Sequence, residues 1–254
     1  MRNRLELLIN KTSAIHKSQL SSKKHARTSD HIFVVKFLIS KYVKKQKKKL
    51  YACFFDLHKA FDSLNRIRLF YGLLSDFKIG GDFLSILQNI YDGYLMYVKV
   101  NGGLTDPFLT TVGVKQGDVL SPILFNMFIN GLPNIFDPEC DPVTINNETT
   151  NVLIWADDSM VLSTSVSGLK RAIFKTTKYF ENLGLKVNCK KTKVLIFNPG
   201  GKKLDKQPEH KFYIGERQLE VTDEYTYLGL KLKPSGSFTT AIQELYAKFW
   251  FGSN

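Results

Sequence analysis

Two apolar stretches that each carry acidic residues decide the fold: ACFFDLHKAFD at residues 52–62 and VLIWADDSMVL at residues 152–162. Short continuous apolar runs of this kind are typical of buried strands. Asp is among the residues least often buried without a partner, so Asp56, Asp157 and Asp158 need a reason to follow such strands. A shared divalent cation, which takes oxygen ligands, is the reason we predict. The alternative is an ordinary hairpin turn at 157–158 and a strand cap at 56.

The rest of the chain mixes helices and strands without a regular alternation. The pattern predicts one strand over 50–56, a hairpin of 152–155 with 160–164, and a polar loop over 133–150. A helix over about 32–42 is expected to be capped near Ser29 or Asp30. Further helices are expected over 1–17, 63–75, 81–91, 118–131, 168–183 and 238–250, and further strands over 94–100, 104–112, 193–198 and, as two or three short antiparallel strands, 211–232. This order favours an α+β fold, with an antiparallel sheet and helices packed on one face.

Composition excludes several classes of protein. With 254 residues and 43% hydrophobic content, the chain is long and apolar enough for a large core. No apolar run approaches the length of a membrane span, and the N-terminus lacks a signal-peptide pattern. The three cysteines are far apart and without histidines at ligand spacing, so we expect reduced packing residues, no zinc site and an intracellular protein.

Charge is concentrated at one end of the chain. The net charge is +13, and residues 1–50 hold fourteen Lys or Arg against two acidic residues, whereas the remainder is nearly neutral. A polyanion such as nucleic acid is the natural partner of such an end, although a solubilising surface has the same composition.

A third motif lies between the two acidic stretches, GVKQGDVLSPILFN at residues 113–126. Gly117 permits a close approach of the backbone, and Asp118 is a candidate cap for the helix that follows. Gln116 is placed to hydrogen-bond a ligand beside the start of that helix. The motif therefore predicts a loop-to-helix junction at a binding site.

Together these motifs resemble the reverse transcriptase domain of non-LTR (LINE-type, jockey-like) retrotransposons. FDLHKAFD at 55–62 resembles the first palm motif, residues 113–122 the second, and WADD at 155–158 the aromatic-Ala-Asp-Asp signature. GLKVN at 184–188 with KKTK at 190–193 resembles the next motif, and YTYLG at 225–229 resembles the primer-grip hairpin. The five motifs occur in order and at ordinary spacings over residues 5–250. The resemblance implies a right-hand polymerase: partial fingers at 1–50, a palm at 51–232 with a fingers-proximal insertion at about 63–112, and the start of a thumb at 233–254.

The resemblance also implies a catalytic set. Asp56, Asp157 and Asp158 would bind two Mg²⁺ ions, which Mn²⁺ can replace, with the backbone carbonyl of Leu57 completing the ligands. The primer 3′-hydroxyl would then attack the α-phosphate of a deoxynucleotide, and pyrophosphate would leave. Lys191, or its neighbour Lys190, would protonate or stabilise the pyrophosphate. Read without the resemblance, the lysine pair is a solvated loop.

Further residues would bind substrates. Phe61 would lie under the sugar and exclude a 2′-hydroxyl, although an ordinary core aromatic gives the same pattern. Gln116 and Gly117 would contact the incoming nucleotide and the template. The primer end would be positioned by Tyr227, Leu228 and Gly229.

The chain departs from the family in the fingers. In QLSSKKHARTSDHI at 19–32, Ser21-Ser22-Lys23 stands where the family usually has Gly-Phe-Arg. Lys23 keeps the positive charge for nucleotide binding but lacks the planar fork of arginine, which predicts a weaker phosphate clamp. The match also starts inside the fingers and stops one helix into the thumb, so we expect a copy that is truncated at both ends.

Three functions are consistent with this pattern. The first is an RNA-directed DNA polymerase that uses an RNA template, a DNA primer and deoxynucleoside triphosphates in the nucleus or cytoplasm, with no membrane and no small-molecule cofactor. The second is a catalytically inactive, nucleic-acid-binding remnant of such an element. The third is a metal-dependent nuclease, against which the junction at Gln116 and Gly117 argues. A group II intron-like maturase is a near relative of the first, but Phe61 favours the retrotransposon branch.

Overall fold

The computed structural model describes residues 1–21, 26–93 and 95–238. The helices, in chain order, are α1 (Arg2–Thr12), α2 (Thr28–Ile39) with a π-helical continuation (Ser40–Lys45), α3 (Ala60–Ser63), α4 (Arg66–Ser75), α5 (Gly81–Tyr91), α6 (Ser121–Phe128) and α7 (Val166–Asn182), with 3₁₀ turns at Leu132–Ile135, Pro138–Cys140 and Pro208–His210. The strands are β1 (Leu50–Phe55), β2 (Leu95–Met96), β3 (Lys99–Val100), β4 (Gly103–Leu104), β5 (Phe108–Leu109), β6 (Val143–Ile145), β7 (Glu148–Thr150), β8 (Val152–Trp155), β9 (Asp158–Ser163), β10 (Lys193–Phe197), β11 (Phe212–Ile214), β12 (Arg217–Thr222), β13 (Tyr225–Tyr227) and β14 (Leu230–Leu232).

A six-stranded sheet in the order β11-β12-β10-β1-β9-β8 forms the centre of the molecule. All six residues of β1 are buried, as expected of a strand with neighbours on both sides and cover on both faces. β1 pairs antiparallel with β9 and β10. The strands that carry the acidic residues are therefore direct neighbours, which a hundred residues of intervening sequence do not reveal.

Alternate residues of the sheet enter two separate cores, because successive side chains of a strand point to opposite faces. Tyr51, Cys53 and Phe55 join the core formed with α4, α5, α6 and α7. Leu50, Ala52 and Phe54 join the core formed with α2, its π-helical continuation and the β13–β14 hairpin. The expectation of helices on one face was therefore wrong, because α2 covers the other.

The predicted helices exist, with shifts at their ends. Arg27, rather than Ser29 or Asp30, precedes α2, and Asp30 inside the first turn accepts the Arg27 N–H at 2.8 Å. The helix expected over 118–131 is shorter, since residues 116–117 form a turn, residues 119–120 form a bend, and Pro122 occupies the first turn of α6. The helix expected over 63–75 is divided into α3 and α4 at Leu64. The helix expected over 238–250 falls almost wholly outside the described residues.

The predicted loop over 133–150 and the predicted strands over 211–232 needed correction. Residues 133–150 are not simply a loop, since they contain two 3₁₀ turns and the β6–β7 hairpin. Residues 211–232 form four strands, and β12 runs parallel to β10, so the sheet is mixed rather than purely antiparallel. The expected hairpin between 94 and 112 exists as two short ladders, β2–β5 and β3–β4, with Tyr94 outside the described residues.

The cysteines behave as packing residues: Cys53 and Cys140 are buried, Cys189 is half-buried, and all three are free thiols. In the part of the chain that the structure describes, no helix is long and apolar enough to span a membrane.

Candidate active site

Asp56 lies directly after β1, where the sheet pairing ends. Its N–H donates to Thr192 Oγ1 at 3.1 Å, and its carbonyl accepts the Asn188 N–H at 2.8 Å. Thr192 is fully buried, so the loop after α7 holds the backbone of Asp56 from the β10 side. The GLKVN and KKTK motifs thus support the first acidic motif.

The second acidic motif forms a tight turn between β8 and β9. Trp155 pairs with Asp158, which leaves Ala156 and Asp157 as the two turn residues, and Ala156 adopts a φ of 54°. β1 pairs with β9 up to Phe55 and Ser159. Continuing that register by one residue sets Asp56 opposite Asp158, on the same face of the sheet as Phe54 and Met160, because cross-strand partners share a face.

Electrostatics show the same proximity. Partial burial, together with the nearby negative charges of Asp157 and Asp56, raises the pKa of the Asp158 carboxyl to about 6. Like charges crowded at one point favour binding of a cation. The charges of Asp56 and Asp157 therefore act on Asp158 across the adjoining strands and turn.

The site does not present a complete protein cage for a metal. Among the described residues, no group of three or more His, Cys, Asp or Glu is gathered closely enough to hold an ion. Mg²⁺ usually keeps water and substrate phosphate in its shell and binds the protein through one or two carboxylates. The donor set of carboxylate oxygens therefore fits a magnesium-type ion that is completed by substrate.

The backbone of Leu57 supplies another oxygen near this point. Leu57 faces Val187 as an antiparallel bridge in which His58 N–H donates to Lys186 O at 2.8 Å and Asn188 N–H donates to Asp56 O. In a non-hydrogen-bonded pair of this kind, the backbone N–H and C=O groups of the two facing residues, Leu57 and Val187, do not bond to each other. The carbonyl of Leu57 therefore points away from Val187, to the side on which β9 lies.

The Gln116–Gly117 loop lies at the surface between β5 and α6. Both residues are exposed, and Gly117 has a φ of 84° with nothing within 4 Å of the position of a Cβ. Asp118 does not cap α6 directly; its Oδ1 accepts the Leu120 N–H at 3.3 Å, one step before the helix. The loop is therefore open to a ligand at Gly117 and held at its ends.

Phe61 is half-buried and stacks on Phe125 of α6, with ring centroids 4.7 Å apart. Its carbonyl accepts the Val114 N–H at 2.9 Å. Phe61 is thus packed against the core and also adjoins the segment that leads to Gln116, so both interpretations of this residue stay open.

The β13–β14 hairpin lies on the face of the sheet that carries Asp56 and Asp158. Its turn residues Leu228 and Gly229 both have positive φ (48° and 80°), as a two-residue hairpin turn requires. Tyr225 stacks on Phe54 at 4.1 Å, and burial together with the charges of Asp158 and Asp56 raises the pKa of Tyr225 to about 12. The predicted primer-grip hairpin therefore adjoins the carboxylates.

Tyr227 turns inward rather than toward a primer. Its side chain is buried, and its hydroxyl lies 3.1 Å from His31 Nδ1 of α2. The Trp155 ring packs edge-to-face with the same histidine, with centroids 5.6 Å apart. The side chain of Tyr227 is therefore withdrawn from a ligand, whereas Leu228 is half-buried and Gly229 is exposed.

Lys191 is exposed, and its N–H donates to Asn188 O at 3.1 Å, one residue before the Thr192 that contacts Asp56. Lys23 lies outside the described residues.

Sequence reasoning missed Ser21. Its hydroxyl accepts the Ala156 N–H at 3.0 Å and lies 3.2 Å from Asn126 Oδ1 of α6. The Ser18 carbonyl accepts the Ile154 N–H, and the Leu20 N–H donates to the Ile154 carbonyl. Residues 18–21 therefore run along the outer edge of β8. The signal was the departure itself, since a serine where the family usually has glycine supplies a hydroxyl beside the acidic turn.

The sequence profile of the family described as reverse transcriptase (RNA-dependent DNA polymerase) matches residues 1–232. A Pol polyprotein from the type-2 retrotransposable element R2DM of Drosophila melanogaster is 31% identical over 207 residues, 78% of this chain and 19% of that protein. The RNA-directed DNA polymerase from the mobile element jockey of the same species is 24% identical over 255 residues, 97% of this chain and 26% of that protein. The chain thus spans about a fifth to a quarter of these relatives.

Solved structures agree on the fold. Apo telomerase from Candida tropicalis superposes with a TM-score of 0.61 at 17% identity, over 92% of this chain and 39% of that one. The likeness confirms the expected reverse transcriptase-like fold of mixed helices and strands. With the profile matched over most of its length and the acidic motifs neighbouring in space, the chain belongs to the reverse transcriptase (RNA-dependent DNA polymerase) family.

Proposed function

We propose that this chain is the RNA-directed DNA polymerase domain of a non-LTR retrotransposon and extends a DNA primer on an RNA template. The observation that carries the proposal is the register of β1 and β9, which sets Asp56 opposite Asp158 with Asp157 in the adjoining turn. In a member of this family, such carboxylates serve phosphoryl transfer.

In the proposed reaction, the primer 3′-hydroxyl attacks the α-phosphate of a deoxynucleoside triphosphate, a new phosphodiester bond forms, and pyrophosphate leaves. Asp56, Asp157, Asp158 and the Leu57 carbonyl would hold two Mg²⁺ ions, or Mn²⁺ in their place. Such ions, when bound, lower the pKa of an attacking hydroxyl and stabilise the charge on a leaving oxygen. The protein supplies a rigid backbone for these ligands through Thr192 and the paired strands.

The nucleotide site would lie between α3 and the loop before α6. Phe61 would pack under the sugar, where its ring leaves no space for a 2′-hydroxyl, and the exposed Gln116 and Gly117 would meet the base or template. Lys191, exposed beside the loop that holds Asp56, would neutralise the departing pyrophosphate. Lys23 would contribute a phosphate contact from the fingers.

The primer end would lie against the β13–β14 hairpin. Tyr227 anchors the hairpin on α2 through His31, so the turn at Leu228 and the exposed Gly229 would present backbone groups to the primer. Tyr225 belongs to the same hairpin, and the charges of Asp158 and Asp56 contribute to its raised pKa. This proximity supports a primer end bound on the carboxylate side of the sheet. Basic residues of the first fifty positions would contact the nucleic-acid backbone.

Primer extension on poly(rA)/oligo(dT) with dTTP tests the proposal, first with Mg²⁺ and then with Mn²⁺. The Asp157→Asn/Asp158→Asn double variant removes two carboxylates from the site. The matched control is Asp82→Asn/Asp92→Asn, which removes two exposed carboxylates from the ends of α5.

We expect metal-dependent incorporation by the wild type and the control, and none by the site variant. Incorporation that survives in the site variant would refute the assignment of the carboxylates. A folded wild type that binds the duplex but incorporates nothing would identify an inactive, nucleic-acid-binding remnant. Degradation of labelled RNA without dTTP would instead indicate a nuclease.

A further inference from the structure

Arg66, at the start of α4, is the only Lys, Arg, Asp or Glu that is buried among the described residues. Its guanidinium makes five hydrogen bonds, to four carbonyl oxygens and one hydroxyl. They run from Nε to Gly113 O (2.7 Å), from Nη1 to Tyr91 O (2.9 Å) and Thr110 O (2.6 Å), and from Nη2 to Thr110 Oγ1 (3.1 Å) and Val112 O (2.9 Å). A guanidinium has five N–H groups, so these bonds match its full donor capacity.

Four of the five acceptor atoms of Arg66 belong to residues 110–113, and the fifth is the Tyr91 carbonyl at the end of α5. Residues 110–113 lie between the exposed strand β5 and the Gln116–Gly117 loop, outside any helix or strand. Gly113 N–H donates to Leu64 O at 2.7 Å, and Val114 N–H donates to Phe61 O at 2.9 Å. The segment is therefore attached to the residues between Phe61 and Arg66.

A second contact fixes the far end of the same loop. The Arg66 guanidinium lies 5.6 Å from the centre of the Tyr91 ring, and the Tyr91 hydroxyl donates to Asp118 Oδ2 at 3.3 Å. Asp118 immediately follows Gly117. Arg66 thus holds residues 110–113 directly and the residue after Gly117 through Tyr91.

We propose that Arg66 is a positioning residue for the incoming nucleotide, which fixes the Gln116–Gly117 loop relative to Phe61 without contacting the substrate. The proposal rests on the function proposed above, because it assumes that these residues form the nucleotide site. Loosening the loop would weaken nucleotide binding, whereas Asp56, Asp157 and Asp158 lie on other elements and would keep their positions.

The chemistry of arginine explains why this position needs it. Its planar fork serves acceptors from three directions at once, whereas a lysine ammonium is a single point on a flexible stem. In Arg66→Lys, several buried carbonyl oxygens of residues 110–113 would lose their donors. Buried acceptors without donors destabilise the local conformation that buries them.

Nucleotide kinetics of Arg66→Lys test the proposal, with Arg68→Lys as the control. Arg68 is the same residue type on the same helix, and its side chain is exposed. We expect Arg66→Lys to raise the KM for dTTP at least five-fold, while kcat changes less than two-fold and the KM for template-primer rises by less than the KM for dTTP. Arg68→Lys should leave all three constants unchanged. A KM for dTTP within two-fold of the wild type, or a loss confined to kcat, would overturn the proposal.

Amide hydrogen exchange gives a readout that does not need catalysis. In Arg66→Lys the amides of residues 110–118 should exchange at least ten-fold faster, while those of β1 stay as slow as in the wild type. Unchanged exchange over 110–118 would overturn the role of Arg66 even if the kinetics changed.

A milder variant covers the case in which Arg66→Lys does not fold. Thr110→Val removes one acceptor, the hydroxyl that Nη2 bonds, and should raise the KM for dTTP about two- to three-fold with unchanged kcat; no rise would count against the proposal. A wild type that incorporates no dTTP would refute the proposed function instead, and the exchange experiment would then decide separately whether Arg66 holds the loop.

Discussion

Gly113 and Gly117 provide a matched pair of glycines in one loop. Both have left-handed backbones, with φ of 80° and 84°. A Cβ at Gly113 would lie 2.5 Å from the Asp62 carbonyl oxygen and 2.9 Å from its carbonyl carbon, whereas a Cβ at Gly117 would have nothing within 4 Å. Alanine at the two positions therefore differs in steric overlap but not in backbone strain.

The magnitudes follow from these contacts. The left-handed conformation costs a non-glycine residue about 1–2 kcal/mol, which is all that Gly117→Ala should lose. In Gly113→Ala the overlap involves backbone atoms, so the segment must shift, and the bonds from Gly113 N–H to Leu64 and from Val114 N–H to Phe61 would weaken. Losing these bonds, at about 1 kcal/mol each, brings the expected destabilisation to about 3–4 kcal/mol.

Urea unfolding of the two variants and the wild type measures this difference, and primer extension gives a second comparison. We expect Gly113→Ala to be less stable than Gly117→Ala by about 2 kcal/mol. Gly117→Ala should lose no more than about 1–2 kcal/mol of stability yet most of its nucleotide incorporation, because its new methyl group lies where the nucleotide or template would approach. Equal stabilities would refute the steric reasoning, and full activity in Gly117→Ala would refute a ligand contact at that residue.

Three further predictions concern the residues around the acidic turn. Ser21→Ala should lower the free energy of unfolding by about 1 kcal/mol and speed hydrogen exchange of the Ala156 amide, because that amide loses the Ser21 hydroxyl as its acceptor. The control Ser18→Ala, in the same segment, should leave the Ala156 amide protected. An unchanged exchange rate of the Ala156 amide in Ser21→Ala would contradict the contact. Burial lowers the pKa of His31 from 6.5 to about 4. Between these two pH values the unfolded chain binds a proton that the folded chain does not, so the free energy of unfolding should fall by about 3 kcal/mol in urea titrations as the pH is lowered from 6.5 toward 4. His31→Gln should reduce that pH dependence, and an equal slope would exclude the histidine as its source. Asp158→Asn should raise the thermal unfolding temperature in EDTA while abolishing primer extension, because it relieves repulsion from the neighbouring carboxylates; a lowered unfolding temperature would argue against that repulsion.

Local patterns predicted much of the architecture. The buried strand before Asp56, the hairpin that carries Asp157 and Asp158, and the helix that ends before Gly184 all follow from apolar periodicity and turn residues, which act over a few neighbours. The family of the chain was also identifiable from its motifs, because their order and spacing are properties of the sequence alone.

Pairing between distant segments was much less predictable. The parallel alignment of β10 with β12, the β6–β7 hairpin and the cover that α2 gives to the second face of the sheet depend on which apolar surfaces meet. Short strands carry little register information of their own, so tertiary packing selects their partners.

The site divides along the same line. The sequence by itself determined which carboxylates are present, that Asp157 lies in a tight turn, and that Gly113 and Gly117 allow left-handed backbones, since these are properties of single residues and their neighbours. Only the tertiary structure decided that Asp56 lies opposite Asp158, that Ser21 contacts the turn, and that Arg66 is buried against residues 110–113. The physical reason is that a hydrogen bond or a shared charge acts over a few ångströms, and folding alone brings residues that are distant in the chain within that range.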